Sequence, residues 1–138
     1  IIEKTKEVVY DDLIKIATLH AQTILDYTKK ANKLLVCDTD VNITSSYSQY
    51  LFNQNLVVPS WIAEANKADL YIFLETDCPF VQDGTRLSEE ERNDLSKHHK
   101  EHLTNAGINY HVITGDWDER LEQAKKLIER TFYNSSSI

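Results

Sequence analysis

Three strand-like runs constrain this chain more than any other feature: LLVCD at 34–38, LYIFLE at 70–75 and NYHVIT at 109–114. The first two are short, nearly unbroken apolar stretches that end on an acid, the mark of strands buried on both faces. The third ends at Thr114, before the turn residues Gly115 and Asp116. Each run is followed by helical patterning. Buried-type strands alternating with helices predict a parallel sheet reached by right-handed crossovers. The expected order is α-β-α-α-β-α-β-α in a single α/β domain over 1–138, with a frayed tail at 133–138.

The helices are read from apolar spacing and end signals. From Tyr10 to about Lys30, Leu13, Ile16, Ala17, Ala21, Ile24 and Leu25 recur at helical spacing. Asp11 and Asp12 open that helix and Lys29 and Lys30 close it, as the helix dipole favours. A hydroxyl-rich stretch, TDVNITSSYSQYLF, leads into a helix expected to place Tyr47, Tyr50 and Leu51 on one side. Pro59 and Ser60 open a short helix to about Asn66. Ser88 is the N-cap of a long polar helix, with Glu89 to Glu91 in its first turn, ending near Asn105 and Gly107. A last amphipathic helix runs from Trp117 to about Phe132, with Leu121, Ala124, Leu127 and Ile128 expected to face inward.

Composition narrows the function. Acids outnumber bases 22 to 15, a net charge of −7, which argues against direct nucleic-acid binding or an anionic membrane surface. No apolar window is long enough to span a bilayer. The two cysteines, Cys37 and Cys78, are too few for a secreted disulfide framework and are expected to be reduced thiols in a cytoplasmic protein, with Cys37 buried and inert. Glycine is scarce: only Gly84, Gly107 and Gly115 occur, so no glycine-rich phosphate loop precedes position 84 in these residues. A domain of this kind normally opens with a strand. The chain therefore reads as truncated before its first strand.

In open α/β sheets the ligand lies beyond the carboxyl ends of the strands. That rule selects Asp38-Thr39-Asp40, the stretch from Glu75 to Arg86, and Gly115-Asp116-Trp117. A strand-end carboxylate either caps the next helix or holds Mg²⁺ beside a nucleotide. Arg86 and Arg92 either neutralise phosphates or pair with Glu89 to Glu91 on a solvated helix. His98 and His102 stand four apart, a spacing that can bind Zn²⁺, but no acid or cysteine is placed to complete the site, and solvated surface is expected for His98, His99 and His102. Phe80 and Trp117 fall on strand-end loops where a ring can stack on a flat base. For Trp117, packing at the helix start is the expectation.

Three segments then become recognisable together: LLVCDTD, DLYIFLETDCPFVQDGTR and YHVITGDWDERLEQA. They resemble the ribosylnicotinamide kinase domain of NadR-type proteins, P-loop NTPases close to nucleoside and adenylate kinases, and the resemblance runs from about Tyr10 to Phe132. It implies a P-loop kinase-like three-layer sandwich of which this chain is the C-terminal part. It implies ATP and Mg²⁺ as cofactors, and nicotinamide riboside or a similar small molecule as substrate, phosphorylated to nicotinamide mononucleotide in NAD salvage. Asp38 and Asp40 would serve metal and the substrate hydroxyl, with Thr39 beside them. Asp77, Phe80, Asp83 and Gly84 would line the substrate pocket, Phe80 standing where the family usually has tryptophan. Arg86 and Arg92 would neutralise the ATP phosphates. Gly115, Trp117 and Arg120 would lie near the nucleotide, Arg120 either reaching the site or bracing its loop.

The departure is the family's opening strand and G-x-x-x-x-G-K-[ST] loop, which these residues lack. That strand would lie between runs 34–38 and 70–75, and without it a gap is expected, along with no ATP turnover by these 138 residues alone. A homo-oligomer or further domains in the parent chain is the expectation for partners. The alternatives are a nucleotide-sensing module of an NAD-related regulator and a related nucleoside or small-molecule kinase.

Overall fold

The computed structural model describes residues 8–77 and 88–133. The chain divides into two compact units, Ile1–Lys67 and Ala68–Ile138.

The first unit is helical. Helix α1 spans Tyr10–Lys30 and buries Leu13, Ala17, Ala21 and Ile24 along one stripe. Its first turn is held from outside the helix: the Val9 N–H donates to the Asp12 carboxylate at 3.0 Å. Helix α2 spans Val41–Phe52 and α3 spans Ser60–Ala65. Both pack on α1, around a small core of Ala17, Ala21, Val41 and Ile62, with Leu56, Val58 and Ala65 against it. The two alanines leave room for both partner helices at one stripe of α1. Asn66 is the polar joint of this unit: its side-chain carbonyl accepts the Val41 N–H at 3.0 Å, and its amide donates to the Ile62 carbonyl at 2.7 Å. One buried side chain thus ties the start of α2 to the end of α3.

Helix α2 forms where a helix is expected, with Tyr47, Tyr50 and Leu51 at one helical spacing, but the expected strand at 34–38 needs correcting. In α2 the buried face carries Val41, Thr44, Ser46 and Ser48, while Tyr50 and Leu51 are exposed. Small hydroxyl side chains can sit against the core because the backbone takes their hydrogen bonds: Ser48 donates to the Gln54 carbonyl at 2.6 Å and Thr44 to the Asp40 carbonyl at 3.2 Å. The run 34–38 is not a strand. It has no ladder partner among the described residues, and Val36 is 78% exposed. Apolar side chains alone do not make a strand; the backbone N–H and C=O groups need a neighbour to pair with.

The second unit is α/β. Strands β1, Ile72–Leu74, and β2, His111–Ile113, pair in parallel with Ile72 opposite His111, Phe73 opposite Val112 and Leu74 opposite Ile113. They lie inside the predicted runs 70–75 and 109–114. Between them, α4 spans Glu89–Asn105, and the Ser88 hydroxyl caps it by accepting the Glu91 N–H at 3.1 Å. The helix ends in a Schellman motif at Gly107, whose φ is +76°: Gly107 N–H donates to Thr104 and Ile108 N–H to Leu103, each at 3.0 Å. Helix α5 spans Trp117–Ile128 and continues as a π-helical turn over Glu129–Tyr133.

His99 overturns the solvated reading, since it lies with Leu95, Ser96 and Leu103 on the buried face of α4. In α5, Leu121 is exposed and Ala124, Leu127 and Ile128 are half-buried, so the expected inward face is only partly covered. The two three-residue strands described are too narrow to cover a twelve-residue helix. Among the described residues no helix is long and apolar enough to cross a membrane.

Candidate functional site

In the first unit, Asp38, Thr39 and Asp40 connect the unpaired run to α2. Asp40 is the α2 N-cap. Its Oδ1 accepts the Asn42 and Ile43 N–H groups at 3.0 and 3.2 Å, and its Oδ2 accepts the Asn42 side-chain amide at 2.8 Å. The capping alternative is therefore realised at Asp40. Thr39 sits in the left-handed region with φ +63°, rare for a β-branched residue, and this bend turns the chain into the cap. Asp38 is exposed, on the rim of a cleft of about 300 Å³ bordered by His20, Thr23 and Tyr27 of α1 and by residues 35–37. Cys37 is exposed, contrary to expectation, as Val36 is, in a run that has no partner strand among the described residues. Its thiol is nonetheless pushed above the usual range, first by partial desolvation and then by the Asp40 charge, which disfavours the reactive thiolate.

In the second unit, the carboxyl ends of β1 and β2 are knitted together by side chains from α4 and α5. Arg120, 7% exposed, is the centre. Its Nε donates to the Gly115 carbonyl at 2.7 Å, and its Nη2 donates to the Glu75 carbonyl at 2.6 Å and to the Asp77 carboxylate. Asp77 uses its other oxygen to accept the Gly115 N–H at 2.7 Å. That backbone donor first, with Arg120 beside it, holds the Asp77 carboxyl below the usual carboxylate range. The bracing alternative thus describes Arg120, and Asp77 is bound into the same brace.

From α4, Arg92 donates to the Thr76 carbonyl at 3.1 Å, and Asn93 accepts the Thr76 hydroxyl at 3.1 Å. Lys100 pairs with the Glu75 carboxylate while its ammonium lies 5.4 Å from the Phe73 ring centroid. Lys100 and the Thr76 N–H lower the Glu75 carboxyl below its ordinary value against an opposing desolvation cost. Arg92, Ser96 and Lys100 stand at i, i+4 and i+8, so one face of α4 serves one strand end. That spacing is visible in the sequence, and so is a signal by which Lys100 could have been found. Gln123 carries no such signal. Its amide nitrogen donates to the Thr114 carbonyl at 2.6 Å and its oxygen accepts the Thr114 N–H at 3.4 Å, imitating a strand neighbour.

The turn between β2 and α5 is correspondingly rigid. Gly115 has φ +102°, and Asp116 caps α5 reciprocally with Glu119: the Asp116 carboxylate accepts the Glu119 N–H at 2.8 Å, and Glu119 accepts the Asp116 N–H at 3.3 Å. Trp117 follows at the first helical position, 77% exposed, so it does not pack at the helix start as expected. Phe80, Asp83, Gly84 and Arg86 lie outside the described residues.

Among the described residues no group of three or more His, Cys, Asp or Glu side chains is gathered to hold a metal ion. Mg²⁺ beside a nucleotide needs no such group, because phosphate oxygens and water complete its shell. A second cleft, about 360 Å³, is lined by Lys100, Glu101, Thr104 and Asn105 of α4 and by Tyr110 just before β2.

A family model described as an AAA domain matches residues 2–120, most of the chain. This chain belongs to the AAA domain family. Within it, the "Trifunctional NAD biosynthesis/regulator protein NadR" of Salmonella typhimurium (strain LT2) is 34% identical over 124 residues, covering 87% of this chain and 30% of the relative. The protein of the same name from Escherichia coli (strain K12) is 33% identical over 123 residues, covering 86% and 30% respectively. The AAA-family chain is thus a NadR-type, P-loop kinase-like domain. It spans about 30% of the length of the curated relatives it matches. No solved structure matches it.

Proposed function

We propose that this chain is part of an ATP-dependent kinase that phosphorylates nicotinamide riboside to nicotinamide mononucleotide in NAD salvage. The observation that carries the reading is the 34% identity to NadR along 124 residues, which run through both strand-end clusters. ATP with Mg²⁺ supplies the phosphoryl group and the charge neutralisation that its transfer requires. The hard-oxygen chemistry of Asp38, exposed at the cleft rim, fits a Mg²⁺ ligand or an acceptor for a substrate hydroxyl; Asp40, whose oxygens are engaged by three donors, holds the segment in place. In this reading Arg92 and Arg120 support the strand ends from behind, and the exposed Trp117 ring offers a flat apolar face to a base. These residues contain no G-x-x-x-x-G-K-[ST] run, and we propose that the 138 residues alone do not turn over ATP.

The test is a kinase assay of the intact protein across nicotinamide riboside and common nucleosides, repeated with Asp38→Asn. Turnover of nicotinamide riboside that falls by about a hundredfold or more in the variant supports the reading. Wild-type rates in Asp38→Asn remove Asp38 from the chemistry, and turnover of another nucleoside alone shifts the assignment to a related kinase. A second reading, a nucleotide-sensing module of a regulator, draws on the word "regulator" in the relatives' name. Nucleotide binding by the intact protein without phosphoryl transfer to any of these acceptors favours it.

A further inference from the structure

Arg120 is a buried, fully engaged side chain in the second unit, and nothing in phosphoryl transfer itself requires that commitment. Its guanidinium reaches both strand ends at once: the Glu75 carbonyl and Asp77 carboxylate after β1, and the Gly115 carbonyl after β2. Asp77 closes the ring by accepting the Gly115 N–H. The backbone of the turn is held almost wholly by side chains, with Thr114 on Gln123, Gly115 on Asp77 and Arg120, and the Asp116 N–H on Glu119. A planar fork with fixed donor directions can serve three acceptors in two segments; a lysine ammonium cannot reproduce that geometry.

Ordinary sheet pairing does not need this device. The ladder already extends to the Glu75 N–H donating to the Ile113 carbonyl at 3.0 Å. What the brace adds is a fixed relation between Asp77 and the turn that presents Trp117. Resting on the kinase reading above, we propose that Arg120 and Asp77 form a positioning pair that presets the Gly115–Trp117 turn for the nucleotide, and that neither is a ligand of it. Preorganisation of this kind shows as binding affinity, because the ligand no longer bears the cost of ordering the turn. It also makes the two residues one energetic unit.

The experiment uses the intact protein, with MgATP binding read by isothermal titration calorimetry. Arg120→Lys, Asp77→Asn and the double variant are titrated with MgATP, and amide exchange at Gly115 is measured in each without ligand. The expected result is a roughly tenfold weaker Kd in each single variant and about the same tenfold, rather than a hundredfold, in the double variant, with faster Gly115 exchange in all three. Leu103→Ala, a core change away from the turn, is the stability control: it lowers Tm without moving Kd. If the losses multiply in the double variant, or if Leu103→Ala weakens binding as much as Arg120→Lys, the pair is not a positioning unit. Absence of MgATP binding by the wild type, with Gly115 still protected, overturns the kinase reading itself and with it the positioning role, leaving the brace as architecture.

Discussion

Asp40 separates capping from chemistry cleanly, because its two nearest substitutes do different things. Three donors converge on its carboxylate, two of them backbone N–H groups of the first turn of α2. That first turn contains no acid of its own, so Asp40 alone offsets the positive end of the helix. Asp40→Ala removes the cap, worth about 1 kcal/mol, and the charge–dipole contribution, worth about 0.5 kcal/mol. For a domain of this size, about 1.5 kcal/mol lowers Tm by about 5 °C. Asp40→Asn keeps an acceptor oxygen for the two N–H groups and loses the charge and the contact of the second oxygen with the Asn42 side-chain amide, so about 0.5–1 kcal/mol and 2–3 °C are expected. Thermal unfolding followed by circular dichroism at pH 7 measures both. Equal destabilisation by Asn and Ala refutes the cap argument, and so does an unchanged Tm in Asp40→Ala. In the kinase assay, Asp40→Asn is then expected to lose far less rate than Asp38→Asn; a matching loss returns Asp40 to the reacting centre.

Thr39→Gly removes a Cβ from a left-handed backbone and is expected to raise stability by about 0.5–1 kcal/mol, the relief of strain exceeding the extra freedom of the unfolded glycine; a lower urea midpoint counts against strain at this bend. Gly115→Ala is expected to destabilise by about 1–3 kcal/mol, since φ is +102° and the new Cβ would lie 3.0 Å from Glu119 side-chain atoms. Pairing it with Glu119→Ala should restore only part of the loss, and full restoration would show that the backbone conformation costs nothing. Burial first, then the neighbouring His98 and His102, depresses the His99 pKa from 6.5 to about 4. Its stabilising contribution is therefore complete above pH 6.5 and declines as the pH falls toward about 4, where the unfolded chain takes up a proton that the folded chain refuses. His99→Gln should flatten that part of the urea-midpoint profile, and parallel profiles for variant and wild type would remove His99 as the cause.

Legibility followed the reach of each signal. Helix α1 is readable because its stripe, acidic start and basic end are all local, although Ile16 and Leu25 of the apolar spacing stay exposed. The Ser88 cap and the Gly107 stop were equally visible, each being a single residue acting on its own helix. Runs 70–75 and 109–114 contain the two strands that pair. Run 34–38 reads just as apolar but forms no ladder among the described residues, because pairing depends on what lies beside a segment in space. The same distinction runs through the candidate site. Position in the sequence nominated Asp38 to Asp40, Asp77 and Gly115 to Arg120 as strand-end residues, and the family resemblance attached them to phosphoryl transfer.

Which of those groups remain open to a ligand was decided by tertiary contacts. Asp40 is the local exception, occupied by its own helix two and three residues on, whereas Asp77 is occupied by Arg120 and by the Gly115 N–H, 43 and 38 residues away. Local sequence determines which groups are present and where along a helix or strand they fall, since propensity and capping act over three or four residues. Hydrogen bonds across such separations depend on how the chain folds back on itself. Whether a charged group faces solvent or serves as a brace is therefore settled only once its partners are in place.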